Sequence, residues 1–306
     1  MQGVVSDINR QKPPRKKKKP IKAADKVLVI LMGIFCFIML YPMWYVLIGS
    51  FNQGLDYSYG NIYFFPRVWT LDNYRIVMED TRIWRAYLVT MLRTVIGTVT
   101  SLLYTSIVAY AMSSSRLKFR KFFYWFMMLT MFISGGMIPY YLLLKSLGLL
   151  NGFWVYVIPS LFSVYNMLIM SNFFSQLPES VIESAVIDGA GEYRIVFSIV
   201  LPLSKPVLAT VALWSIVGHW NSYFESMYYV TDSRLYTLQY VLMRIIDSAS
   251  LPSSASSSLP PSVWETISPK TISYAAIVIS VLPVLLVYPF LQKYFASGIM
   301  QGAVKE

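Results

Sequence analysis

The chain has 306 residues, of which 56% are hydrophobic and only 13% charged, with a mean hydropathy of +0.53 and a net charge of +11. A soluble domain carries about 25% charged residues, so composition excludes an ordinary soluble enzyme and points to a membrane protein. The one cysteine, Cys36, excludes an internal disulfide, and the one histidine, with no clustered cysteine beside it, excludes a histidine metal site.

Residues 1–26 contain nine of the 26 lysines and arginines, among them the run "PPRKKKKPIK". Such a run suits a nucleic-acid or phospholipid patch, but its place directly before an apolar segment favours a topology determinant and no nucleic-acid partner. The apolar run Val27–Phe51 is too long for a signal peptide and is followed by no small-residue cleavage site, so it reads as an uncleaved anchor. Five more runs approach the roughly 20 residues that a bilayer requires: Ala86–Met112, Phe122–Leu144, Phe153–Phe174, Val207–Phe224 and Thr271–Leu291. The expected architecture is therefore an all-α membrane protein: a basic tail (1–26), a six-helix domain (27–291) and a short C-terminal tail (292–306).

Basic residues orient the spans. With the N-terminus inside, the inner segments hold 17 and the outer ones eight, and Arg93 lies within the second span. Both termini are then cytoplasmic. An arginine in a span suits pairing with a helix end or snorkelling to the interface, and also attraction of an anionic ligand. Two segments face outward. Residues 51–85 are rich in aromatics (Tyr57, Tyr59, Tyr63, Phe64, Phe65, Trp69), and 225–270 contain "SASLPSSASSSLPP", whose composition cannot bury a core.

On the inner side, between spans four and five, the stretch "ESAVIDGAGEYRIVFSIVLPLSKP" runs from Glu183 to Pro206. Pro178 and Glu179 suit a first helical turn. Val181, Ile182, Ala185 and Val186 share one face, and Glu179 and Glu183 another. Gly189 and Gly191 break the helix. A second short helix begins near Glu192, with Ile195, Val196, Ile199 and Val200 as its apolar stripe, and Pro202 and Pro206 stop it. The result is a helix–Gly–helix elbow along the membrane surface, too polar to cross it.

Glu183, Ala185, Gly189, Ile199, Leu201 and Pro202 fall at the spacing E-x-A-x3-G-x9-I-x-L-P. This resembles the coupling-loop signature of the permease subunits of bacterial binding-protein-dependent ABC importers, with Ser184 as its one departure. The segments "SGGMIPYYLLLKSLGLLNGFWVYVIPSLF", "GHWNSYFESMYYVTD" and "YPFLQKYFASGIMQGAVKE" extend the resemblance to carbohydrate permeases, and within them to the branch of polysaccharide and pectin-fragment importers. The resemblance implies a multi-pass bacterial cell-membrane protein that works with a second six-span permease, two copies of a cytoplasmic ATPase and an extracytoplasmic solute-binding protein. It implies that Glu183, Ser184, Ala185, Asp188, Gly189, Ile199, Leu201 and Pro202 form the ATPase-coupling site. Gln301, Gly302 and Ala303 match the ATPase-contacting tail of the maltose-type permease. ATP and Mg would bind the partner, and no cofactor this chain.

No phosphate-binding G-x-x-x-x-G-K-[ST] loop, H-E-x-x-H or G-x-S-x-G occurs, so no catalytic or metal site is expected. Acidic residues are sparse within the spans, which argues against ion coupling. Polar and aromatic side chains inside the spans are candidates for a sugar path: Tyr165, Asn166 and Met170 in span four, and His219, Trp220, Asn221 and Tyr223 near the outer end of span five. The same residues suit interhelical hydrogen bonding and an interfacial aromatic belt. The reading is a permease for oligosaccharides, uronate-containing ones among them, moving a sugar through a membrane-lipid environment. The alternatives are a secondary sugar transporter or a membrane scaffold that recruits an ATPase.

Overall fold

The computed structural model describes residues 23–60, 62–250 and 268–303. The basic leader, most of the Ser/Pro-rich outer stretch and the last three residues lie outside the described residues. Among those described there is no strand, only an isolated bridge between Asn52 and Trp69. The chain divides into two compact units, Met1–Tyr45 and Val46–Glu306. In the first, the described residues are helix α1 (Ala23–Ser50, extending into the second unit), whose large apolar side chains from Val27 to Leu40 are exposed.

The second unit is built on α4 (Thr81–Ser113), capped by the Asp80 carboxylate, which accepts from the Arg82 backbone N–H. Before it come α2 (Gly54–Ser58) and α3 (Asp72–Glu79). After it come α5 (Arg120–Phe132), α6 (Met137–Ser146), two 3₁₀ turns over Phe153–Tyr156 and Ile158–Ser160, and α7 (Val164–Phe174). The segment after α7 consists of α8 (Glu179–Ile187), α9 (Glu192–Ile195), a π-helical stretch (Val196–Val200) and α10 (Leu201–Leu203). The chain then forms α11 (Lys205–Asn221), α12 (Phe224–Tyr229), α13 (Leu238–Ser250) and α14 (Pro269–Ala303).

Among the described residues, three stretches are unbroken helices long and apolar enough to cross a bilayer: Asp25–Ser50, Thr81–Ser113 and Pro269–Leu286. The other expected spans are not straight. Phe122–Leu144 is divided between α5 and α6, which bend by 113° at Ile133–Gly136, where Gly136 has φ +83°. Phe153–Phe174 bends by 46° after its 3₁₀ turns, and α11 meets the preceding helical stretch Glu192–Leu203 at 86°. The expected end of span five at Phe224 also shifts, because α11 stops at Asn221. Glycines and prolines at these places read as tolerated interruptions of one apolar run, whereas the backbone turns through them.

α4 packs against α7, α11 and α13 through small residues: Thr90, Thr94, Gly97, Thr98, Ser101, Thr105 and Ala109 are all buried. Gly97 sets the distance to α11. A Cβ there would stand 2.5 Å from the His219 ring. Gly97→Val is therefore expected to force the imidazole out of its seat at a cost of about 1–3 kcal/mol, read as a lowered midpoint of thermal unfolding in detergent.

Candidate functional site

The segment between α7 and α11 begins with Pro178 as the N-cap of α8 and Glu179 in its first turn. Its underside is Ile182 and Ala185. Val181 and Val186, expected on the same face, are instead 38% and 41% exposed. The 100° step between residues places only one narrow stripe of a nine-residue helix against the bundle.

The helix ends in a Schellman motif. The Ala190 N–H donates to the Ala185 carbonyl at 2.9 Å, and the Gly189 N–H to that of Val186 at 3.0 Å. Gly189 takes the left-handed conformation, φ +77°. Gly191 has an ordinary φ of −72°, so Gly189 alone makes the turn.

Beyond it, Ile195, Val196 and Val200 are buried and Ile199 half-buried. Pro202 does not stop this helix; it sits inside α10, and the chain turns at Ser204. The π-helical stretch, in which the Leu201 N–H donates to Val196 O, widens the turn ahead of a proline that has no N–H to give.

One core cluster joins this segment to three span ends: Ala185, Ile195 and Val200 pack with Ala109 and Met112 of α4, Met167, Met170 and Phe174 of α7, and Val207 and Val211 of α11. Leu201, Ile199 and Ala190 lie at its edge. The opposite face is acidic. Glu179, Glu183 and Asp188 are exposed, and none has an ion-pair partner among the described residues. Ser184 is exposed and donates to its own helix at Val181 O, 3.1 Å. Pro202 is exposed as well. Glu179, Glu183 and Glu192 line a cleft of about 310 Å³ with Tyr110, Arg116 and Arg120, and the Tyr110 hydroxyl donates to Glu192 across it at 2.9 Å. Gln301, Gly302 and Ala303 form the last turn of α14; their side chains lie outside the described residues.

The intramembrane candidates fall in two groups. Met170 is fully buried in the core cluster. His219 is buried against Gly97, and the Trp220 indole donates to Ser280 O at 3.0 Å with its ring edge-on to Tyr87. These three hold helices together. Tyr165, Asn221 and Tyr223 are exposed and Asn166 half-buried, and the Tyr165 ring lies 5.8 Å from that of Trp214.

Nearer the other end of α4, Arg93 is 2% exposed and reaches Glu225 of α12 at 2.9 Å. It also donates to Ser222 O, the C-cap of α11, at 3.3 Å, and its guanidinium lies 4.9 Å from the centre of the Tyr156 ring. The Ser222 hydroxyl donates to the second Glu225 oxygen. Burial works against the Glu225 charge, but Arg93 and Ser222 hold its carboxyl below the usual carboxylate range. The Tyr156 hydroxyl continues the network to Ser226 at 2.8 Å and Leu235 O at 2.7 Å, and Ser226 to Thr237 at 2.9 Å. Glu225 is 132 positions away from Arg93 in the chain, and sequence reasoning missed it. The signal was the arginine itself, since a charge inside a span requires a partner.

The sequence profile of the family described as "Binding-protein-dependent transport system inner membrane component" matches residues 103–301. Among known proteins, the chain is 38% identical over 277 residues to Protein LplC of Bacillus subtilis (strain 168), covering 90% of this chain and 93% of that one. It is 37% identical over 286 residues, 92% and 98% of the two chains, to the polygalacturonan/rhamnogalacturonan transport system permease protein YtcP of the same organism. Among solved structures it is similar to a chain from the crystal structure of a bacterial ABC transporter involved in the import of the acidic polysaccharide alginate, with a TM-score of 0.82 and 32% identity over 90% of this chain and 98% of that one.

Two outcomes follow from this geometry. Glu225→Gln leaves Arg93 buried without its countercharge and is expected to cost about 3–5 kcal/mol, with most of the loss recovered in Arg93→Met/Glu225→Met; thermal unfolding of the purified protein measures both. Gly189→Ala is expected to cost about 1–2 kcal/mol from left-handed strain, in the same measurement.

Proposed function

The chain belongs to the family of inner membrane components of binding-protein-dependent transport systems, and on that premise we propose that it is half of the membrane path of an ATP-driven oligosaccharide importer. The family membership carries this reading, together with the two relatives whose names specify pectic polysaccharide transport and alginate import. Oligosaccharides containing uronate units are the proposed cargo. A second permease completes the path, a solute-binding protein delivers the sugar from outside, and two copies of an ATPase drive the cycle from the cytoplasm. The ATP and Mg belong to that ATPase; this chain provides no hydrolytic group.

In this reading the bent pair α5–α6 is one span, the 3₁₀ turns with α7 another and α11 alone a third, so six segments cross the membrane with both termini inside, between a basic leader (1–26) and a C-terminal tail (292–306). The inner elbow of α8 and α9 is the coupling site, with Glu183, Ser184 and Asp188 toward the ATPase, Gly189 at the turn, Ala185, Ile199 and Leu201 on the side of the bundle, and Pro202 exposed beside them. Two observations support it. The carboxylates on the outer face have no ion-pair partner within the described chain, and the underside is packed against the ends of three spans. A closing motion of the ATPase dimer applied to the elbow is then passed on as displacement of α4, α7 and α11, because close-packed cores transmit strain. Gln301, Gly302 and Ala303 make a second ATPase contact.

The test uses the complex purified with its partners and reconstituted in proteoliposomes. Glu183→Ala is expected to lower ATP-dependent uptake by at least ten-fold, corresponding to the roughly 2–5 kcal/mol lost when one partner of an interfacial charge pair is truncated. Membrane insertion and thermal stability should be unchanged. Full uptake and normal ATPase recovery in that variant overturn the coupling assignment, and uptake that proceeds without ATP overturns the importer reading.

A further inference from the structure

The exposed sides of the bundle differ in kind. Along α4 the outward residues are Trp84, Leu88, Leu92, Val95 and Val99, all apolar and 47–60% exposed. That is the composition of a surface against lipid tails. The outward stripe of α11 is Trp214, Gly218 and Asn221, spaced by four and three residues and so on one face. Trp214 is 42% exposed and pairs with Tyr165 of α7, itself 53% exposed. Asn166 follows Tyr165 in the chain.

Neither the Asn166 nor the Asn221 carboxamide makes a hydrogen bond among the described residues. Trp214 lies midway along α11, so its neighbours Tyr165 and Asn166 sit at the depth of the hydrocarbon core. An amide facing lipid there, without a partner, is strongly disfavoured. The face therefore turns toward water or a polar ligand.

The shape of this face is as telling as its chemistry. A Cβ at Gly218 would meet nothing within 4 Å. Helical side chains lean toward the N-terminus, so Trp214 leans away from Gly218 while Asn221 leans over it. Between them lies an open step on a run of about 10 Å of helix, with the Trp214–Tyr165 ring pair and the neighbouring Asn166 at one end and the Asn221 carboxamide at the other. Aromatic surface with a few placed polar groups is the make-up of a small-molecule site, and a pyranose ring has the matching pair of surfaces: an apolar C–H face and a rim of hydroxyls.

We propose that Trp214, Gly218 and Asn221 of α11, with Tyr165 and Asn166 of α7, form a pyranose-binding shelf in the transport path. Trp214 and Tyr165 carry the C–H face of one sugar unit, the two carboxamides bind its hydroxyls, and Gly218 leaves the room. This rests on the transport reading above and adds to it the residues that touch the sugar. Met170, His219 and Trp220 are excluded from the shelf by burial.

The test has two arms in the assembled transporter. In a Cys36→Ser background, Gly218→Cys, Asn221→Cys and, as a lipid-facing reference, Val95→Cys are treated with a charged, membrane-impermeant thiosulfonate reagent. Positions 218 and 221 are expected to react at least ten-fold faster than 95, with rates that change on trapping with ATP and vanadate. Reaction no faster than at 95 overturns the shelf, whether lipid or a second permease covers the face. In the second arm, uptake of trigalacturonate delivered by the binding protein is compared for Trp214→Phe and Trp214→Ala. The alanine variant is expected to raise the transport KM at least five-fold while ATP hydrolysis persists, and the phenylalanine variant to stay within two-fold of the parent. Equal KM values for both overturn it. Absence of ATP-driven uptake in the parent complex would instead count against the proposed function itself, and the labelling arm, which needs no sugar, tells the two failures apart.

Discussion

A guanidinium inside an apolar bundle must be neutralised where it stands, and much of the structure around the first half of α4 is arranged around that requirement. Arg93 is held by a carboxylate from α12, a carbonyl from the end of α11 and the face of Tyr156 from the 3₁₀ turn before α7. Each contact comes from a different element, so neutralising one charge fixes the relative positions of four segments. Tyr156, Ser226 and Thr237 then extend the same network to the strap leading into α13, where the Leu238 N–H donates to Thr90 on α4. Apolar packing alone would leave these short elements free to slide, because contacts between hydrocarbon surfaces have no direction. The directed bonds from α4 remove that freedom.

At its C-terminal end the same helix meets a different environment. There the organising force is apolar burial under the short α8–α9 segment, whose acidic side chains have no ion pair among the described residues. The two faces of α8 divide the labour: Ala185 is small enough to seat the helix close to α4 and α7, while Glu183, two residues earlier, is exposed and lines the cleft shared with Tyr110, Arg116 and Arg120. α4 thus carries a polar knot at one end and a packed joint at the other, with a seam of threonines, serines and Gly97 between them. Small side chains along that seam bring α4 and α11 close, and buried hydroxyls such as those of Thr94, Thr98 and Thr105 make no hydrogen bond among the described residues.

The intramembrane breaks belong to the same economy of backbone bonds. Between α5 and α6, and again at Ser204, the chain turns sharply within or beside apolar segments, and each turn leaves helix ends that straight spans would not have. Such ends persist only where protein or water covers them. The exposed aromatic and amide face of α11 and α7 fits a bundle that keeps part of its interior wet.

The sequence by itself determined that the chain is a helical membrane protein, that Val27–Phe51 and Ala86–Met112 are long apolar helices, and that a polar elbow with its glycine turn lies between the fourth and fifth apolar runs. These are local matters: hydropathy sums over neighbouring residues, and a capping motif is complete within six. The family, too, was legible from a spacing of six residues in the elbow. Only the tertiary structure decided which polar residues of the spans face inward. Trp220 and His219 look in sequence like Asn221 and Tyr223, yet the first two are locked between helices and the others are exposed, because a shift of one residue on a helix turns a side chain by 100°. The partner of Arg93 was likewise out of reach of sequence, since a buried charge announces that it needs an opposite one but not from which of the distant segments it comes.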